Sequence, residues 1–270
     1  MRVVAADWSG AARAERRHLW VAEIDVDAHR VSALAGCSRQ DAGDRMLEIV
    51  GAGGRDGVII GLDFGFSLPE WFLDREGIAA PAELWRDTER LEAWLRTCPD
   101  PFWGRPGRGR PPRPPEEHFR RTELATTPRP RSVFQIGGAG AVGTASLRGM
   151  PLLDRLQRAG CSIWPFDPPS GPLVLEVWPR LAIGDLVKSR RSERARWLSG
   201  VDRRWSLPTD LSARAEACDD AFDALAAALH LAARLPAPPE VTDATLRREG
   251  WIWGVPLPST AAGACGTMAR

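Results

Sequence analysis

The sequence has no long apolar run, and no stretch of its 270 residues approaches the roughly 18 consecutive apolar residues of a membrane-spanning helix. The opening Met1-Arg2-Val3-Val4 leads directly into a strand-like pattern rather than into the apolar core of a signal peptide. We therefore expect no membrane partner and a cytoplasmic location. Hydrophobic residues at 44% and charged residues at 26% are ordinary for globular chains, which argues against disorder.

Cysteine and histidine are too few and too scattered to form a recognisable metal cage. The five cysteines include no C-x-x-C pair, and the four histidines show neither H-x-x-H nor H-E-x-x-H spacing. Neither a disulfide framework nor a zinc site is therefore predicted. Any metal ion in this protein must be held by carboxylates.

Lysine is almost absent, because Lys188 is the only one among 36 basic residues. It follows no glycine-rich loop, and a Walker nucleotide site is therefore not predicted. Ser67 lies in Gly-Phe-Ser-Leu-Pro, which lacks the second glycine of a nucleophile elbow. That difference argues against a serine hydrolase.

One glycine-rich segment, residues 138–143, matches the G-x-G-x-x-G pattern of dinucleotide-binding proteins. Such a site needs a long following helix, and Pro151 is expected to interrupt a helix at this point. We therefore predict no nicotinamide or flavin site. The backbone amides around Gly138 and Gly140 are instead candidates for cradling a phosphate of the substrate.

Apolar periodicity in the first quarter of the chain predicts an α/β fold. Short alternating runs at 3–6, 19–24 and 31–34 indicate three sequential strands. Helical spacing over 41–50 predicts a helix, and the continuous apolar run 58–64 is typical of a strand buried on both faces. The sequence therefore predicts a mixed sheet with helices on its faces.

The α/β pattern resumes in the second half of the chain. A helix is predicted over 152–159, followed by strands at 161–166 and 173–178. A basic helical stretch over 180–198 precedes one long amphipathic helix over 211–234. We expect a single domain spanning residues 1–270.

An insertion is predicted at about 68–150, and it contains a Pro- and Arg-rich tract at 104–131. The tract has eight arginines, three glutamates and seven prolines, so its charge is +5 while the rest of the chain carries −4. Its prolines predict an extended surface loop. Two interpretations stay open, a solvated flexible loop and a contact with nucleic-acid phosphates. The candidates for that contact are Arg105, Arg108, Arg110 and Arg113.

Acidic residues stand in unusually apolar surroundings at several points of the sequence. Asp7 ends the first predicted strand, Asp63 lies in the buried one, and Glu176 lies within Leu-Val-Leu-Glu-Val-Trp. Asp220 and Asp223 share one face of the last long helix. A buried carboxylate needs a hydrogen-bond donor, an arginine or a metal ion, and for any one of these acids an arginine partner or a helix cap is the ordinary explanation.

As a set, these carboxylates predict a site for Mg²⁺ or Mn²⁺, because both ions prefer hard oxygen ligands. Two such ions about 4 Å apart can activate water and stabilise a leaving oxygen in phosphodiester hydrolysis. The candidate metal ligands are Asp7, Asp63, Asp220 and Asp223, and Glu176 completes the candidate catalytic set. Trp8, beside the first of them, is a candidate for stacking a base.

Several segments together resemble the family called domain of unknown function 429, whose members are predicted RNase H-like nucleases. They are V-V-A-A-D-W-S-G at 3–10, I-I-G-L-D-F-G-F-S-L-P at 59–69, F-Q-I-G-G at 134–138, W-P-F at 164–166, E-V-W-P at 176–179, C-D-D-A-F-D-A-L at 218–225 and E-G-W-I-W at 249–253. The resemblance implies a mixed sheet with the first strand central and helices on both faces. It also implies catalytic carboxylates from the first strand, the fourth strand and the final helix, which correspond to Asp7, Asp63 and Asp220 or Asp223. The D-x-x-D pair is similar to that of Holliday-junction resolvases.

Two other functions share the same expected fold. The segments at 7–10 and 63–65 also look like the phosphate-binding turns of actin-like ATPases and sugar kinases, which are phosphotransferases. Those proteins carry two copies of the fold in longer chains, whereas this chain has room for one copy and an insertion. A nucleic-acid-binding module without catalysis is the third interpretation, although it would be expected to lose the acidic set.

Overall fold

Six strands form one mixed sheet in the computed structural model, which describes residues 1–53, 57–201 and 203–258. The protein is therefore α/β, as predicted. The strands are β1 (Arg2–Asp7), β2 (Trp20–Asp25), β3 (Arg30–Gly36), β4 (Val58–Leu62), β5 (Ser162–Ile163) and β6 (Leu173–Glu176). Their order across the sheet is β3-β2-β1-β4-β6-β5.

The sheet joins an antiparallel half to a parallel half. β1, β2 and β3 pair antiparallel in chain order, and on its other side β1 pairs parallel with β4. β6 pairs parallel with β4, and β5 pairs parallel with β6. The carboxyl ends of β1, β4 and β6 consequently meet at one edge of the sheet.

Helices cover both faces of the sheet. In chain order they are α1 (Glu15–His18), α2 (Arg39–Gly53), α3 (Glu70–Arg75), α4 (Pro81–Arg86), α5 (Thr88–Thr97), α6 (Pro115–His118), α7 (Arg121–Leu124), α8 (Val142–Arg158), α9 (Arg180–Ile183), α10 (Arg191–Ser199), α11 (Thr209–Ala217), α12 (Asp219–Arg234) and α13 (Leu246–Glu249). None of these helices, within the described ranges, is long and apolar enough to cross a membrane.

The strand β1 separates two apolar cores because its side chains alternate between faces. Val4 and Ala6 belong to the core formed with α2, α4, α5 and α8, whereas Val3 and Ala5 belong to the core formed with α9 to α12. All four residues are fully or almost fully buried. The helix α12 crosses this second face and packs on β1 and β2.

The strands and helix predicted in the first quarter of the chain are confirmed, but the single helix predicted over 211–234 is wrong. The structure contains α11 and α12, separated at Cys218, whose backbone is extended with φ −127° and ψ 127°. Apolar periodicity continues across the break, and it therefore could not reveal the break. The break places Asp219 and Asp220 in the first turn of α12.

Two other predicted helix boundaries also differ from the structure. The basic stretch over 180–198 forms two helices rather than one, and α9 ends at Gly184, whose φ is +61°. Conversely, α8 begins at Val142, inside the predicted insertion, and continues through Pro151. Its Leu147, Met150 and Leu153 are buried in the core, and this packing offsets the backbone hydrogen bond that proline removes. Pro151 therefore does not end the helix.

The tract at 104–131 is not a uniformly solvated loop. It contains α6 and α7, and α6 has a proline in its first turn, where a missing N–H costs no helical hydrogen bond. Arg120 and Glu123 are almost fully buried. The composition of the tract predicted a loop because composition alone does not show which arginines pair with residues that are distant in the sequence.

Candidate carboxylate site

Asp7 and Asp63 lie side by side because β1 and β4 are neighbouring parallel strands in register. Ala6 is opposite Leu62, and the Asp63 amide donates a hydrogen bond of 3.0 Å to the Ala6 carbonyl. The two carboxyl groups lie close enough together that the charge of Asp63 raises the pKa of Asp7. Strand pairing alone therefore brings the first two candidate ligands together.

The helix α12 supplies the other candidate carboxylates from its first two turns. Asp220 lines the same cavity of about 560 Å³ as Asp7 and Asp63, and the buried Asp223 lies one turn further along. A helix N-terminus carries a partial positive charge that favours nearby carboxylates. The predicted convergence of Asp7, Asp63 and a carboxylate of the last helix is confirmed, while their role as metal ligands stays a prediction.

His18 is a further titratable side chain at this cavity. Its Nδ1 lies 3.4 Å from Oδ2 of Asp220, and its ring is exposed. The short helix α1 carries His18 to the cavity from the connection between β1 and β2. His18 could not be identified from the sequence, since it has no local histidine or cysteine partner.

Burial and mutual repulsion raise the pKa of every carboxyl group in the cluster. For Asp63 burial and then the charge of Asp223 raise the pKa to about 7. For Asp7 burial and then Asp63 raise the pKa well above its ordinary value. Burial raises the pKa of Asp223 to about 6, although Lys188 opposes that change. The ionised cluster therefore requires positive charge close to it.

Lys188 supplies part of that charge. Its ammonium group donates to Oδ2 of Asp223 and lines the cavity with Asp7 and Asp63. Burial disfavours its charged form, but the ion pair with Asp223 and the charges of Asp7 and Asp63 hold the pKa of Lys188 above its ordinary value. The second oxygen of Asp223, Oδ1, is buried and has no hydrogen-bond partner in the described structure.

The loop after β1 is held rigidly beside these carboxylates. A Cβ atom at Gly10 would lie 2.6 Å from the backbone nitrogen of Ala145 in α8, and only glycine allows that approach. Arg39 donates to the carbonyls of Ser9 and Ala11 at 3.1 and 2.8 Å, and Arg148 donates to the carbonyl of Gly10. The cavity wall is therefore formed by fixed backbone.

A compact set of potential ligands also occurs at the start of α12. In the part of the chain that the structure describes, Cys218, Asp219 and Asp220 form the one group of three whose ligand atoms all lie within 4.8 Å of one another. Asp7, Asp63 and Asp223 are more widely spaced as a set, and the Lys188 ammonium stands among them.

Glu176 ends β6 at the same edge of the sheet, but Arg120 binds its carboxylate. Two nitrogens of the guanidinium donate to its two oxygens at 2.5 and 2.8 Å, and the Phe66 amide donates to Oε2 at 3.0 Å. Glu176 is 3% exposed. An arginine partner therefore accounts for this carboxylate, although Glu176 and Asp63 both line one cavity of about 240 Å³.

Arg120 also pairs with Glu123, and this makes a buried network of one cation and two carboxylates. The Arg120 Nε donates to Glu123 Oε1 at 2.9 Å. Burial raises the pKa of Glu123 to about 7, although Arg120 opposes the change. A proton on the network balances its charge, since a single guanidinium cannot neutralise both Glu123 and Glu176.

Glu123→Gln is expected to flatten the dependence of stability on pH. A carboxyl group whose folded pKa is raised stabilises the protein fully below its unfolded pKa, near 4.5, and loses this contribution as pH rises through about 7. The loss amounts to about 3 kcal/mol for one such group. Urea unfolding at pH 5 and pH 8 should show a smaller difference for the variant than for the wild type. Equal differences would contradict the assigned protonation.

The four tract arginines proposed as phosphate ligands have different environments. Arg113 is paired with Asp100 at 2.5 Å and with Glu117 at 2.7 Å, and Arg105 donates to the Leu95 carbonyl at 3.1 Å. Arg113 is therefore held by two carboxylates and one Arg105 donor is occupied, while the role of all four as phosphate ligands stays a prediction. Arg108 is exposed, and Arg110 lines a separate cavity.

Trp8, Gly138 and Gly140 all line the carboxylate cavity. Trp8 is 6% exposed and packs on Phe64 with ring centroids 5.4 Å apart, and this packing leaves little of its indole for stacking a base. The two glycines are exposed, with φ of +78° and +71°. Their loop faces the cavity, where its backbone can approach a ligand.

Sequence reasoning missed the partners of the acidic residues. Lys188 could have been singled out in the sequence, because it is the single lysine beside 35 arginines. Arg120 and Glu123 could not, because nothing in a tract with the composition of a loop indicates that they form ion pairs with each other and with Glu176. Comparison of the chain with protein-family models, with curated proteins and with solved structures found no match.

Proposed function

We propose that this protein is a metal-dependent nuclease with an RNase H-like fold. The observation that carries the proposal is the cavity where Asp7, Asp63 and Asp220 meet at the carboxyl edge of the sheet. An antiparallel three-stranded half, a central β1 and helices on both faces agree with the fold that the resemblance implies. Membership of the domain of unknown function 429 family is part of the same proposal.

The residues present fit a divalent cation. Asp7 and Asp63 offer hard oxygen ligands that line one cavity, and Asp223 has a buried oxygen with no hydrogen-bond partner in the described structure. Burial and mutual repulsion raise the pKa values of these groups, and a bound cation would offset that repulsion. Mg²⁺ or Mn²⁺ held by Asp7, Asp63 and either Asp220 or Asp223 would supply Lewis acidity, which activates water and stabilises the leaving oxygen.

The protein's own groups orient the substrate at this site. The Lys188 side chain is 42% exposed and lines the cavity, where its ammonium group can donate to a phosphate oxygen. The loop carrying Gly138 and Gly140 lines the same cavity. A phosphodiester held between them would lie against the carboxylates, and this placement makes nucleic acid the expected partner.

Hydrolysis of nucleic acid tests the proposal directly. Single- and double-stranded DNA and RNA are incubated with the protein in Mg²⁺, in Mn²⁺ or in EDTA, and the products are resolved by size. We expect shortened strands with metal only, and none with Asp7→Asn. Release of phosphate from a nucleoside triphosphate with all strands intact would instead favour the phosphotransferase alternative.

Millimolar Mg²⁺ or Mn²⁺ is expected to raise the melting temperature. A cation that binds only the folded state adds about 2.7 kcal/mol at 100 times its Kd, which corresponds to roughly 5 to 10 °C for a protein of this size. Differential scanning fluorimetry in EDTA and in each metal measures the shift. An unchanged melting temperature would argue against a carboxylate-held cation.

A further inference from the structure

A second cavity, of about 570 Å³, lies on the tract and is rich in arginine. We call it the arginine cavity, and its lining includes Trp103, Arg110, Phe119, Arg129, Arg131 and Gln135. None of its lining residues is acidic. It therefore concentrates three positive charges that no carboxylate in its wall neutralises.

The arginines of this cavity differ from the others in the tract. Arg113, Arg120 and Arg121 are each paired with carboxylates, at distances from 2.5 to 3.2 Å. Within the described residues Arg110, Arg129 and Arg131 have no ion pair. Two of the three rest on an aromatic ring, with Arg110 5.6 Å and Arg129 5.0 Å from the centroid of Phe119.

Aromatic support fixes these guanidinium groups without using their hydrogen-bond donors. A guanidinium group that lies over an aromatic ring contacts the ring with its flat face, and its N–H groups point outward from the edge of the guanidinium plane. Arg110 is also 5.5 Å from the centroid of Trp103. The cavity therefore presents fixed, unpaired donors whose planar geometry matches phosphate oxygens.

The arginine cavity adjoins the carboxylate site through shared lining residues. Arg129 and Arg131 also line a neighbouring cavity of about 240 Å³, together with Asp63. Asp63 in turn lines the cavity of about 560 Å³ with Asp7 and Asp220. The arginines and the carboxylates therefore lie on a series of adjacent cavities, which is the arrangement that an extended strand would need.

We infer that the arginine cavity is a phosphate-binding subsite for the strand whose backbone reaches the carboxylate site. This inference rests on the proposed nuclease function for the identity of the strand. The phosphate has two sources, an internal phosphodiester and a terminal phosphate. Arg129 and Arg131 contact it, and Arg110 contributes a further positive charge to the same cavity.

Binding without metal tests the subsite independently of hydrolysis. The full chain in EDTA is titrated into fluorescent single-stranded oligonucleotides that carry a 5′-phosphate, a 3′-phosphate or neither, at several salt concentrations. Arg129→Gln and Arg131→Gln are compared with Arg96→Gln, which removes the same charge from an exposed position on α5 outside the cavity. Melting temperatures show whether each variant is folded.

Arg129→Gln and Arg131→Gln are each expected to weaken binding about tenfold and to reduce the slope of log affinity against log salt by roughly 0.7, whereas Arg96→Gln changes little. A loss confined to phosphorylated oligonucleotides assigns the subsite to a terminal phosphate, and a loss with all three assigns it to an internal one. Equal losses in all three variants, or none, would overturn the subsite. If binding weakens in the two cavity variants only, but the wild type does not cleave nucleic acid with metal, the subsite is supported and the nuclease function is rejected. If the wild type cleaves and neither cavity variant weakens binding, the nuclease function is supported and the subsite is rejected.

Discussion

Asp63→Asn should raise the melting temperature in EDTA and abolish the increase that Mg²⁺ produces. Burial and the charge of Asp223 raise the pKa of Asp63 to about 7, so the ionised form destabilises the fold at pH 8. An amide removes that charge and can still donate to Asp7. We expect a gain on the order of 1 to 3 kcal/mol in EDTA, from relief of desolvation and repulsion.

The sign of this result distinguishes a functional cluster from a structural one. Replacing an acid that only stabilises the fold lowers the melting temperature, whereas replacing one kept for ligand binding raises it. Lys188→Met provides the opposite change, because it removes the cation beside Asp223. We expect that variant to be less stable in EDTA and to gain more from Mg²⁺ than the wild type.

Both variants are measured by scanning fluorimetry at pH 8 in EDTA and in a Mg²⁺ titration. Asp210→Asn is a matched control, because it removes one carboxylate from an exposed position on α11 that does not line the cavity. It should leave the metal response intact. A destabilised Asp63→Asn protein that still responds fully to Mg²⁺ would contradict the proposed role of Asp63.

The carboxylate site was predictable where strand pairing determines it. Asp7 and Asp63 each follow an apolar run, and two parallel neighbours with equal register must place such residues at one edge. Asp220 and Asp223 were predictable as one helix face. Their position at the start of α12, beside the site, was not predictable, because apolar periodicity does not reveal the helix break at Cys218.

The partners of the charged groups could not be predicted, because ion pairs depend on tertiary packing. Glu176 and Arg120 are 56 residues apart, and the arginine lies in a tract whose composition indicates a loop. The same composition made Arg113 and Arg110 look equivalent. Only the fold shows that Arg113 has two acidic partners and that Arg110 has none in its cavity.

The buried ion network makes Arg120 the residue whose loss should destabilise the protein most. Arg120→Met removes the one cation that serves Glu123 and Glu176, both almost fully buried. Removing one partner of a buried ion pair leaves an uncompensated charge and costs about 3 to 5 kcal/mol. We expect a loss of this size in urea unfolding at pH 8.

The stability lost in Arg120→Met should depend on pH, and neutralising Glu123 and Glu176 should restore it. Without Arg120 the two carboxyl groups bind protons more readily, so the variant should recover part of its stability at pH 5. The triple variant Arg120→Met, Glu123→Gln, Glu176→Gln should recover most of it at pH 8, because well-packed neutral groups can replace a buried ion pair. If the triple variant stays as unstable as Arg120→Met at both pH values, the guanidinium matters for its packing rather than its charge.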